Sequence, residues 1–217
     1  MNFENQELHW HDYYETVGVS SWLDFAASII YNERYFLQII KTKPYSVLEV
    51  GTGRGLHAIA LSHIVPEVLG IDLDENLVKK APILNAKFRG SAVFSKMDAF
   101  HLGFGQNSFA VCCSQGFFEH FQDSEIVALL DEQLRVAHQV IFSVPSYYYP
   151  KKNFGTERLM KLEDWLKIMR KYLVDVFYYG PEVDTSLGLL GFIKPNALAR
   201  LLSAPRKAQI CFKVRKR

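Results

Sequence analysis

Three glycines at alternate positions, Gly51, Gly53 and Gly55, follow directly on the apolar run Val47-Leu48-Glu49-Val50. Glycine reaches dihedrals closed to other residues and lacks the Cβ that would keep a ligand away from the backbone. The helix expected from Leu56 offers unpaired N–H groups to polar ligand atoms. A pyrophosphate-binding fingerprint runs G-x-G-x-x-G/A. Here Leu56 stands at the place of its last small residue, and Glu49 brings a carboxylate to the strand end, where a pyrophosphate would be repelled. An acid there suits a cationic ligand.

More carboxylates follow at regular places. Asp72 closes the run Val68-Leu69-Gly70-Ile71, 21 positions after Gly51. An acid about 20 positions on holds ribose hydroxyls in βαβ nucleotide sites, and a carboxylate accepts two hydroxyl donors at once. Asp74 reads instead as the N-cap of a helix over 75–85. Asp98 closes a third run, Ala92 to Ala99. Beyond a fourth strand at 109–114 comes Gln115-Gly116-Phe117-Phe118-Glu119-His120-Phe121. Glu119 and His120 are the candidate general bases, His120 being the better match to neutral pH.

The Glu-x-Gly-x-Gly-x-Gly loop resembles that of class I S-adenosylmethionine (SAM)-dependent methyltransferases. The acids at 72 and 98 and the stretch after the fourth strand extend the resemblance in the family's order. It is close from Tyr45 to Val144 and architectural only from Pro145 on. One departure is Ala110, where the family usually has Asp. The resemblance implies SAM as cofactor and S-adenosylhomocysteine as product, bound without a metal. It implies cofactor contacts from Glu49, Gly51, Thr52, Gly53, Gly55, Asp72, Leu73, Met97, Asp98, Ala99, Ser114 and Gln115, with Asp98 reading the adenine amino group.

The elements needed to position these residues form an α/β fold. It is a Rossmann-like, seven-stranded, mostly parallel sheet with helices on both faces. Strands five, six and seven are expected at 140–144, 173–179 and 208–214, the last two as an antiparallel hairpin. Helices are expected at 56–61, 75–85, 124–137 and 161–171. An N-terminal helical cap spans 1–42, with one helix over 5–17 ended by Gly18 and a longer one from Ser20 or Ser21 to about Lys41. The core runs from 43 to 217 in a single domain. Segments 145–171 and 181–200 are expected to cover the acceptor. Tyr147, Tyr148 and Tyr149, between two prolines, and Tyr14 in the first helix are the candidate acceptor-binding residues.

A chain of 217 residues with 49% hydrophobic and 22% charged residues suits one globular domain. A net charge of +2 gives no strong general attraction to nucleic acid. Neither a membrane span nor a secretory leader is expected, which makes the cytoplasm the default location. The three cysteines show neither metal-ligand spacing nor a disulfide framework. The expected activity is methyl transfer to a small molecule by a monomer or homodimer. The alternatives are an RNA or protein methyltransferase, a SAM-binding module without turnover, and a nicotinamide-dependent oxidoreductase, which Leu56 and Glu49 disfavour.

Overall fold

Five residues with no exposed side chain among them, Ser46–Val50, make β1. A strand buried on both faces belongs in the middle of a parallel sheet, and β1 pairs in parallel with β2 (Glu67–Asp72) and β4 (Val111–Gln115). The computed structural model describes Trp10, Val19 and residues 21–149, 156–180 and 207–217. With β3 (Val93–Lys96), β5 (Val140–Pro145), β6 (Leu173–Tyr179) and β7 (Gln209–Arg215), the seven-stranded sheet runs in the order β3-β2-β1-β4-β5-β7-β6. Only β7 runs against its neighbours, β5 and β6. The order reverses between β1 and β4, and ligands in such sheets bind at the strands' carboxyl ends beside that reversal.

Helices cover both faces. Leu56–Ser62 and Glu75–Lys87 pack on one side with two N-terminal helices, Trp22–Tyr31 and Glu33–Ile40, and Asp123–Val136 and Leu162–Ile168 pack on the other. We number these six helices α1 to α6 in chain order, α1 being Trp22–Tyr31. Alternation along β4 sends Cys112 into one core and Cys113 into the other, as a period of two requires.

The chain departs from its expected boundaries where a side chain competes with the backbone. The long helix expected from Ser20 or Ser21 to Lys41 is two. Ser21 caps α1 with a capping box, and Asn32 then leaves the helix with φ −104° and ψ 15°. The Asn32 amide donates to the Ser28 carbonyl, and its oxygen accepts from the Tyr179 hydroxyl at 3.1 Å. An asparagine so engaged offers the backbone an alternative to the helix. Strand β3 stops at Lys96, so Asp98 lies in the turn beyond it. The fourth strand begins at Val111, because Phe109 forms only an isolated bridge to Ala137. The helix expected over 161–171 keeps only α6. The helix expected over 5–17, apart from a helical Trp10, and the cover expected over 181–200 lie outside the described residues.

Candidate active site

The glycine loop is held by its own carboxylate. Glu49 is 2% exposed. One of its oxygens accepts from the Thr52 hydroxyl and the Ala58 amide, and the other faces His57 Nδ1 at 3.3 Å. These partners tie the strand end to the loop and to the first turn of α3, whose orphan amides need an acceptor. Glu49 therefore carries structural bonds within the loop in addition to any contact it makes with a ligand. Gly51, Gly53 and Gly55 all have positive φ. At Gly51 a Cβ would lie 2.4 Å from the Phe117 ring, which rests on the loop.

Asp72 buttresses the loop from β2. One oxygen accepts from the Gly53 amide at 2.7 Å and the other from the Asp74 amide at 3.0 Å. Burial raises its carboxyl above the usual range, and these backbone donors oppose that. Asp74 is the N-cap of α4, accepting from Asn76 and Leu77. Asp98 accepts from the Phe100 amide at 2.9 Å and lies 3.0 Å from His101 Nδ1. Leu73, Met97 and Ala99 are half-buried. Ser114, fully buried, has a hydroxyl with no hydrogen-bond partner, and half-buried Gln115 ends β4.

Beyond β4, Gly116 takes φ 68° and turns the chain into a single 3-10 turn, Phe118–His120. The turn buries Glu119, 1% exposed, with one carboxyl oxygen lacking any partner. Burial, with a smaller repulsion from Glu157, pushes the Glu119 carboxyl up to about 8. Burial also holds the His120 imidazole down to about 4, against a hydrogen bond with the Gly116 backbone. His120 Nδ1 bonds the Thr156 hydroxyl at 2.8 Å, while Nε2 lies 3.9 Å from Glu119. Trp10 sets its ring edge-on to His120 at 4.8 Å.

Glu157, buried on the segment whose Arg158 amide bonds the Glu119 carbonyl, completes a cluster with Glu119 and His120. Sequence reading missed Glu157 and Thr156. They sit 37 and 36 positions beyond His120, in a stretch with no periodic pattern. Tyr147 and Tyr148 are exposed and Tyr149 is half-buried. Tyr147 lies under Lys161 and Tyr148 against Tyr178. Tyr14 lies outside the described residues, and Trp10 is the one described residue of the helix expected over 5–17.

Residues 47–139 match the family described as a methyltransferase domain. No curated protein sequence matches the chain. Among solved structures, a protein of Pyrococcus horikoshii OT3 superposes with a TM-score of 0.67 at 14% identity, over 95% of this chain and 99% of that one. A SAM-dependent methyltransferase from Aquifex aeolicus gives 0.62 at 18% identity, over 86% and 89%. Magnesium protoporphyrin IX methyltransferase from Synechocystis PCC 6803, solved with bound S-adenosylhomocysteine, gives 0.62 at 13% identity, over 100% and 95%. At these identities the likeness shows the fold. Among the described residues no helix is long and apolar enough to cross a membrane.

Proposed function

We propose that the protein is a class I SAM-dependent methyltransferase acting on a small molecule whose accepting atom lies at Glu119 and His120, a reading supported by the methyltransferase-domain match over residues 47–139 and by the shared fold. Glu119 carries this reading. It is a buried carboxyl group with an unpartnered oxygen, at the carboxyl end of β4 beside the glycine loop. An unsatisfied buried polar group costs about 1–3 kcal/mol, so its retention at a sheet edge points to a ligand that satisfies it.

The chain's groups fit SAM. The ribose hydroxyls and the adenine amino group are donors. Asp72 and Asp98, at neighbouring strand ends, keep acceptor capacity beyond the partners they already hold. Half-buried Leu73, Met97 and Ala99 offer apolar surface between them, and the Ser114 hydroxyl is free at the end of β4. Bound there, SAM supplies a methyl group already activated on a sulfonium.

The chain's own residues align, shield and accept. Alignment of two reactants contributes roughly 7–11 kcal/mol. It is the task of the loop that Glu49 and Asp72 brace. Phe117 over Gly51 and Trp10 against His120 keep water from the mouth. Glu119 and His120 hold the accepting atom and take up its proton, a role that contributes about 10²–10⁴-fold. Tyr147, Tyr148 and Tyr149 line the acceptor's approach, with Lys161 and Tyr178 beside them.

Release of S-adenosylhomocysteine from labelled SAM, measured across a panel of small hydroxylated, amine and carbon acceptors, tests this reading. Substrate-dependent release is expected. Binding of SAM without release would identify a binding module, and label transferred to RNA or protein would identify the other acceptor class.

A further inference from the structure

We propose that Glu119, His120 and Glu157 form a binding site for one divalent first-row transition ion at the mouth of the cofactor cleft. One ligand atom from each residue lies within 4.8 Å of those from the other two. Donors about 2.0–2.2 Å from a common ion stand roughly 3–4 Å apart, so small side-chain movements close the cluster on an ion. The Glu119–His120 approach, 3.9 Å from oxygen to nitrogen, is already in that range and too long for a hydrogen bond.

Three observations set this cluster apart from a group of surface acids. Both carboxyl groups are buried, Glu119 at 1% and Glu157 at 6% exposed. One Glu119 oxygen has no partner at all. The His120 ring is oriented by a neighbour: the Thr156 hydroxyl holds Nδ1 at 2.8 Å and leaves Nε2 toward Glu119. A ligand histidine steadied at its other nitrogen is the usual arrangement in metal sites.

The donor set names the ion's class. Two carboxylates and one imidazole suit Mn²⁺, Fe²⁺ or Zn²⁺ better than Mg²⁺, which favours oxygen and its own water. Three protein ligands leave coordination positions open. The site also deepens the acceptor assignment and rests on it for that part only: with an ion bound, Glu119 and His120 would hold the accepting atom through the ion instead of taking up its proton directly. An ion here would select an acceptor with an oxygen able to complete its coordination, such as a hydroxyl beside a carbonyl or carboxylate.

Chelator-treated full-length protein titrated with Mn²⁺, without SAM or acceptor, tests the ion alone. One Mn²⁺ per chain is expected by calorimetry and electron paramagnetic resonance, with Zn²⁺ displacing it. Glu119→Gln and Glu157→Gln should each weaken binding at least tenfold, whereas Glu163→Gln on the exposed start of α6 should not. Paramagnetic broadening of the His120 imidazole signals by Mn²⁺ gives a readout in the unaltered protein. Absence of one-to-one binding, unchanged affinity in Glu119→Gln, or unbroadened His120 signals would overturn the site. Release of S-adenosylhomocysteine in chelator would leave methyl transfer standing while showing that the ion is not needed for it.

Discussion

The two halves of the cleft treat their buried carboxyl groups in opposite ways. Under the glycine loop, Glu49 meets the Thr52 hydroxyl, the Ala58 amide and the His57 ring, and Asp72 meets two backbone amides. Beyond β4, Glu119 keeps one oxygen without a partner. Asp74, in the first half, also keeps one buried oxygen without a partner, but its other oxygen accepts from the Asn76 and Leu77 amides, and the unpartnered buried atoms of Ser114, Gln133 and Trp165 are neutral. Glu49 and Asp72 brace the first half, the side proposed for the cofactor, through their hydrogen bonds to the loop. The mouth is left incomplete, as expected where electrostatic groups await a substrate.

This contrast predicts opposite responses to mutation. The largest expected effect is at the mouth. Glu119→Gln should lower kcat by about 10²–10⁴-fold while leaving SAM affinity unchanged and the thermal midpoint equal or higher, since it removes a buried ionisable group that lacks a full set of partners. Steady-state kinetics, calorimetry and a melting curve on one preparation decide this. A large loss of stability would place Glu119 with the scaffold.

In the loop, Gly53→Val should cost SAM roughly 3–5 kcal/mol, or more than two decades of affinity. That loss comes from a side chain standing where the cofactor is proposed to approach the backbone, while forcing it into φ 55° adds a separate cost to the loop's stability of about 1–2 kcal/mol. Calorimetric affinity unchanged in a folded variant would remove the cofactor from this loop. Glu49→Ala should instead destabilise the fold, by about 3 kcal/mol in denaturant titration, because three partners lose their acceptor. Wild-type stability in that variant would erase the contrast between the halves.

Asp72→Ala should weaken SAM by one to two decades through the lost charged hydrogen bonds, about 1.5–3 kcal/mol. The smallest effect belongs to Asp74→Ala, about 1 kcal/mol of stability from an uncapped α4 with little change in SAM affinity. Exchange of these two phenotypes would mean that the ribose lies at Asp74 and that β2 is read one turn short.

The sheet was readable because its signals are local. The apolar runs ending in Glu49-Val50, Asp72 and Ser114, each followed by a glycine or a cap, mark strand ends directly. The antiparallel pair at 173–179 and 209–215 was visible as two apolar runs. The break at Asn32 was hidden, since its side-chain oxygen accepts from the hydroxyl of Tyr179, 147 positions away. The partners of Glu49 were hidden in part: its type and place suit a cation, and nothing local in the sequence shows that His57, Thr52 and Ala58 also reach it. Glu157 could not be joined to Glu119 by spacing, because an irregular segment brings them together. The mouth is built from long-range approaches of this kind, and so the acceptor side was the less legible part of the site.

Methyl transfer to a small molecule is the reaction proposed at the mouth of the cleft. Its most direct test is methyl-labelled SAM incubated with the protein and a panel of small acceptors, with S-adenosylhomocysteine and labelled product quantified together for the wild type and Glu119→Gln. Equal amounts of the two products are expected with at least one acceptor, with a drop of about 10²-fold or more in the variant. Equal turnover by the two proteins, or SAM bound tightly with no acceptor-dependent release, would contradict it.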